Sequence, residues 1–219
     1  MDSRFSAVIF DMDGLMFDTE RLNLEGWQAV GRDHGLAITY ALAMQAVGKG
    51  PENTRRVFEA QVGPLPQFYE LREQRIEYAR RFIETHGMPL KRGLQELLAF
   101  LKENNFLTAL ATATPRALAG YYLEKADLID YFDQIIFGDM VENPKPAPDI
   151  YLQACARLGV APKECLTLED SPVGIRAAFL AGTNPVMIPD LILPDETLSA
   201  MLFAKVDSLH DVIPLLKQI

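Results

Sequence analysis

The sequence predicts an α/β protein: a parallel sheet covered by helices on both faces, with a helical subdomain inserted after the first strand. Three observations predict it. Short, uniformly apolar β-type runs alternate with helical patterns along most of the 219 residues. One long interval, from Thr19 to about Gly87, has helical patterns only. Polar side chains able to do chemistry recur directly behind the apolar runs.

The apolar runs are SAVIF ending at Phe10, LTALA ending at Ala111, QIIF ending at Phe137, LTL ending at Leu168 and PVMI ending at Ile188. They are predominantly apolar, so each is expected to be buried on both faces, as parallel strands are. Between them lie LQELLAFLKENN, PRALAGYYLEKA, DIYLQACARLG and PVGIRAAFLAG, with apolar residues at helical spacing. Gly159 and Gly182 close the last two. Strands separated by helices of this length imply a sheet with crossovers on both sides.

The interval after Thr19 carries ERLNLEGWQAVGRDHG and QFYELREQRIEYARRFIETHG. Some 70 helical residues are too many for one crossover and read as a separate subdomain. The expected division is 1–18 with 88–219 as the α/β core, and 19–87 as the helical insertion. Arg72, Arg75, Arg80 and Arg81 are expected on a solvated face, and His34 at a helix end. Ser171, directly before PVG, reads as a helix cap.

Composition sets bounds. The chain is 49% hydrophobic and 23% charged, normal for a globular protein with a core. A net charge of −9 gives no electrostatic footprint for nucleic acid. No apolar run approaches the roughly 18 residues of a membrane span, and the apolar stretch in MDSRFSAVIF is short for a signal peptide. The expectation is a cytoplasmic monomer without nucleic-acid or membrane partners. Cys155 and Cys165 stand in apolar surroundings and read as buried thiols.

In a parallel sheet the ligand site lies beyond the carboxyl ends of the strands. Asp11 and Asp13 follow the first run, Thr112 and Thr114 the second, Lys145 comes after the third, and Glu169 and Asp170 follow the fourth. Singly, each has a plain explanation as a turn former or cap. Together they place acids, hydroxyls and a cation at one edge. Four carboxylates that close call for a cation, and an all-oxygen set suits Mg²⁺. One carboxylate can attack phosphorus while another serves as acid and then base. Asp11 and Asp13 suit those roles: residues i and i+2 of extended chain point the same way, and Gly14 lets the backbone turn away.

The ordered set DMDG, LATAT, NPKPAPDIY and LEDSPVGIRAA resembles the haloacid dehalogenase superfamily, in its phosphatase and β-phosphoglucomutase-like branch. The resemblance implies a Rossmann-like core with a helical cap inserted after the first strand. It implies that Asp11 is the nucleophile and Asp13 the general acid/base, with Thr112 and Lys145 holding phosphate. Asp170 is implied as the Mg²⁺ carboxylate beside Asp11 and the Asp13 carbonyl, and Glu169 joins that shell directly or through water.

Departures sort the branch. Asp13 argues against the dehalogenases, which lack it. Phosphonatases use a cap lysine; Lys49 in VGKGPENT, between glycines, reads instead as surface or substrate contact. Sugar phosphomutases carry a cap histidine four residues after the linker threonine, where this chain has Asn23. The resulting expectation is a phosphatase of small phosphorylated metabolites, sugar phosphates foremost, working through an aspartyl-phosphate. A sugar phosphomutase is the alternative. A phosphoacceptor signalling module is a remote one, since its acidic pair would follow the first strand and its phosphorylated Asp would come later. Substrate contacts are expected from Thr112, Ala113, Thr114, Lys145, Asn23 and Lys49. Phe17, the GKGPEN loop and the stretch to Arg116 are further candidates.

Overall fold

The computed structural model describes residues 5–218. The signal-peptide reading and the outermost ends of the expected core fall partly on residues 1–4 and 219, outside that range. The chain divides into two compact units: residues up to Phe17 together with those from Leu90 onward, and Asp18–Pro89 between them.

In the first unit, strands β1 (Ala7–Phe10), β2 (Leu107–Ala111), β3 (Gln134–Ile136), β4 (Cys165–Glu169), β5 (Asn184–Met187) and β6 (Ala204–Lys205) form one sheet. Its order is β3-β2-β1-β4-β5-β6, and every pairing is parallel. This is the Rossmann-like α/β architecture expected. β1 is central, and all four of its residues are fully buried. With both faces covered, a polar side chain at any of its positions would lose water without gaining a partner.

β6 was not legible in the sequence. Two residues carry no periodicity, and the pairing of Val186 with Ala204 and Met187 with Lys205 makes the strand.

Helices α5 (Leu94–Glu103), α6 (Arg116–Ala126), α7 (Asp149–Leu158), α8 (Pro172–Leu180), α9 (Glu196–Ser199) and α10 (Val212–Lys217) complete this unit. α5 shows why they form: its buried residues Leu94, Leu97, Leu98 and Leu101 fall on one stripe at i, i+3, i+4 and i+7. Burying each such side chain contributes about 1.5–3 kcal/mol. Ser171 caps α8 by accepting from the Gly174 amide at 3.1 Å, and Pro172 follows at the first turn, where its missing N–H costs nothing. Cys155 of α7 and Cys165 of β4 are buried thiols with sulfurs 3.5 Å apart.

The second unit is helical: α1 (Thr19–Asp33), α2 (Tyr40–Met44), α3 (Pro51–Val62) and α4 (Phe68–His86). Trp27 of α1 stacks on Phe68 of α4 and meets Phe58 of α3 edge-on, with centroids 5.7 and 4.9 Å away. His34 caps the end of α1. Two expectations need correcting here. Arg75 is not on a solvated face: half-buried, it donates to the Asn23 side chain and lies 5.8 Å from the Trp27 ring. The GKGPEN stretch is also not all loop, because α3 begins at Pro51, a residue pre-set for a helix's first turn. Among the described residues no helix is long and apolar enough to cross a membrane.

Candidate active site

All strands being parallel, their carboxyl ends share one edge, and the candidate residues of the first unit gather there. After β1, the Asp11 amide donates to the Leu168 carbonyl, which docks the exit of β1 on β4. The chain then turns at once: the amides of Met16 and Phe17 both return to the Met12 carbonyl, and Gly14 has φ +81. That glycine is needed twice over. A side chain at φ +81 would be strained, and its Cβ would lie 2.2 Å from Asp170 Oδ2.

Lys145 ties the site together. Its Nζ donates to Asp11 Oδ1 at 2.5 Å, to Glu169 Oε1 at 2.7 Å and to the Ala111 carbonyl at 3.2 Å. Three N–H bonds meet three acceptors. The same ammonium stands 4.7 Å from the centre of the Tyr151 ring, whose hydroxyl donates to Glu169 Oε1 at 2.5 Å. The other oxygen of Glu169 accepts from the Ser171 amide and hydroxyl, at 3.2 and 3.0 Å. Glu169 is fully buried, and a Cβ on Gly174 would overlap its carboxylate at 1.7 Å, so only glycine fits there.

The second carboxylate after β1 is held differently. Asp13 Oδ2 accepts from the Thr114 hydroxyl at 2.7 Å. Thr112 is buried; its Oγ1 accepts from the Thr114 amide at 3.0 Å, which leaves its own hydrogen to donate elsewhere. Ala113 lies between them at the exit of β2 and lines a small cavity with Lys145 and Ile150.

Charge decides what such a site can hold. Asp11, Glu169 and Asp170 are buried and offer carboxylate oxygens within 4.8 Å of one another. Three carboxylates against the one ammonium of Lys145 leave two negative charges when all are ionised. Burial pushes the Asp11 carboxyl up to about 8, against the pull of Lys145 and with a further push from Glu169. The same two carboxylates hold Lys145 protonated despite its burial. One ammonium cannot satisfy two buried carboxylates, so the pocket favours a proton or a further cation. An all-oxygen set with two excess charges fits a hard divalent ion.

Asn23 and Lys49 lie in the helical unit. Asn23, on α1, accepts from Arg75. Lys49 is exposed just before α3, and its carbonyl accepts from the Thr54 hydroxyl at 3.4 Å. Phe17, a specificity candidate from sequence, is wholly buried and packs edge-on against Tyr122 at 6.5 Å, so it belongs to the core. Sequence reasoning gave Tyr151 no role, although it stands in the NPKPAPDIY stretch; the available signal was that a buried phenol needs an acceptor.

The profile of the haloacid dehalogenase-like hydrolases matches residues 5–182, which include every one of these side chains. The chain belongs to that family. Among relatives of this hydrolase, the phosphorylated carbohydrates phosphatase of Thermotoga maritima is 36% identical over 180 residues, spanning 82% of this chain and 83% of the relative. The fructose-1-phosphate phosphatase YqaB of Escherichia coli is 31% identical over 190 residues, spanning 85% and 97%. In structure, the hydrolase is similar to CbbY from Rhodobacter sphaeroides in complex with phosphate, with a TM-score of 0.80 and 27% identity over 95% of this chain and 96% of that one.

Proposed function

We propose that this haloacid dehalogenase-like hydrolase is a Mg²⁺-dependent phosphatase of small phosphorylated metabolites, phosphorylated sugars foremost. The observation that carries the reading is the position of Lys145. It bridges Asp11 and Glu169 at 2.5 and 2.7 Å, beside a third buried carboxylate, Asp170. A carboxylate beside a fixed ammonium and a divalent-cation pocket is what attack on a phosphate ester requires. Names of relatives that act on phosphorylated carbohydrates and fructose 1-phosphate support the substrate class.

In this reading an Asp11 carboxylate oxygen forms a bond to phosphorus as the ester oxygen leaves. Asp13, steadied by Thr114, gives that oxygen its proton. Asp13 then takes a proton from water, the water oxygen bonds to phosphorus, and the bond to Asp11 breaks, releasing inorganic phosphate. Lys145, the Thr112 hydroxyl and the Ala113–Thr114 backbone hold the phosphoryl oxygens as charge builds on them. Asp11, Asp170 and the Asp13 carbonyl would hold Mg²⁺, with Glu169 joining directly or through water. When bound, the ion supplies the positive charge the pocket lacks and offsets that of the phosphoryl group. Asn23 and Lys49 are proposed as substrate contacts outside the phosphoryl group.

The Asn23 carboxamide does not exchange a proton near neutral pH as an imidazole does, and it is engaged by Arg75. Both points favour hydrolysis over sugar phosphate isomerisation. The test is a screen of purified protein with Mg²⁺ against phosphorylated metabolites, reading released phosphate, with Asp11→Asn as control. Turnover of several small esters by the parent and none by Asp11→Asn is expected. Wild-type turnover by Asp11→Asn would refute the mechanism. With β-glucose 1-phosphate and catalytic glucose 1,6-bisphosphate, glucose 6-phosphate formed faster than phosphate would establish a mutase instead.

A further inference from the structure

We propose that Tyr151 is a positioning residue of this site: its hydroxyl fixes Glu169 and its ring face carries Lys145, so that the ammonium is aimed at Asp11. The inference rests on the reading of Lys145 as a phosphoryl ligand and adds what holds it there.

Tyr151 touches both ends of the Lys145–Glu169 pair, Lys145 through its ring and Glu169 through its hydroxyl. Without the hydroxyl, Glu169 Oε1 would keep Lys145 as its only side-chain donor among the described residues, and the carboxylate could pivot about Ser171. Because Lys145 reaches Asp11 and Glu169 with the same ammonium, a pivot of Glu169 draws the lysine off Asp11. The ring face attracts the cation as well, worth more where water is excluded.

The fold supports this job. Tyr151 and Cys155 lie one turn apart on α7, and Glu169 and Cys165 lie four residues apart on one face of β4. The two pairs meet as Tyr151 hydroxyl to Glu169 and sulfur to sulfur, so the register of helix on strand is fixed at two points. A hydroxyl on a helix located this way has little freedom to follow a moving partner.

The test uses Tyr151→Phe, which keeps the ring and deletes the hydroxyl, with Glu169→Gln as a second variant. The first readout needs no turnover. In metal-free protein labelled with ¹⁵N-lysine, the Lys145 ammonium, identified by its loss in Lys145→Gln, should give a slowly exchanging signal because all three protons are bonded. Tyr151→Phe should speed that exchange at least about fivefold. The second readout is kinetic: at saturating Mg²⁺, kcat should fall about tenfold and the inhibition constant of orthovanadate should rise several-fold. Glu169→Gln should reproduce the faster exchange. A lower melting temperature with unchanged exchange, kcat and orthovanadate inhibition would make Tyr151 merely structural and overturn the inference. A parent protein with no turnover on any ester would instead sink the phosphatase reading, while the ammonium experiment would still decide the positioning role.

Discussion

The hydroxyl of Thr114 donates to Asp13 Oδ2 at 2.7 Å, across 101 residues of chain. This gives the proposed acid/base a fixed neighbour on one of its oxygens. Thr114→Val keeps the shape and removes the donor. Turnover of alkyl phosphates, which need a protonated leaving group, should fall about tenfold, within the range general acid catalysis contributes. para-Nitrophenyl phosphate should lose less, and Thr114→Ser should restore most of the rate. Equal losses on both ester types would separate Thr114 from the proton transfer.

Metal dependence follows from the three buried carboxylates. EDTA should abolish turnover and Mg²⁺ should restore it. Asp170→Asn should raise the Mg²⁺ concentration for half-maximal rate more than tenfold, read from titrations at fixed ester. Full activity in chelator would remove the ion from the mechanism.

A pH trend in stability follows from Asp11. Its carboxyl is pushed from an ordinary 3.8 up to about 8 in the folded protein, chiefly by burial. The folded form therefore keeps a proton that the unfolded chain releases above about pH 4. Where the folded state binds more protons, stability falls as pH rises, so the loss runs from about pH 4 to about pH 8 and is complete above it. Metal-free protein should show a falling melting temperature from pH 5 to pH 8. Asp11→Asn should flatten that slope, and Mg²⁺ at about 100 times its Kd should raise stability by about 2.7 kcal/mol. A rising melting temperature over the same window in chelator would contradict the assignment.

Gly14→Ala should damage fold and pocket together. The added Cβ meets Asp170 Oδ2 at 2.2 Å and sits at φ +81. The backbone strain costs about 1–3 kcal/mol, measurable by urea unfolding in EDTA. Displacement of Asp170 should also raise the Mg²⁺ requirement. A destabilised variant with unchanged Mg²⁺ response would confine Gly14 to the turn.

The sheet was legible because its central strands are buried on both faces, which leaves largely apolar runs such as Ala7–Phe10 and residues 165–168. The gathering of Asp11, Lys145, Glu169 and Asp170 was legible for a topological reason: parallel strands deliver their exits to one edge. What stayed hidden depends on contacts between distant segments. Tyr151 on Glu169, Thr114 on Asp13 and Arg75 on Asn23 leave no periodic trace in the chain. Phe17 was misread because an aromatic beside a site residue can point toward substrate or core with the same sequence signature. Here it is closed in against Tyr122.

The place of β1 in the sheet has a consequence for synthesis. Its hydrogen-bonding neighbours are β2 and β4, which end at Ala111 and Glu169. On the ribosome, at about 5–20 residues per second, the strand that leads into Asp11 waits roughly 10–30 s for its second neighbour. Throughout that time a fully apolar segment has one or both edges unpaired, open to other nascent chains. Asp18–Pro89 is complete much earlier. The candidate edge therefore cannot assemble before β4 has emerged, and soluble yield should improve when translation is slowed by cold or when a chaperone covers the emerging N-terminal strand.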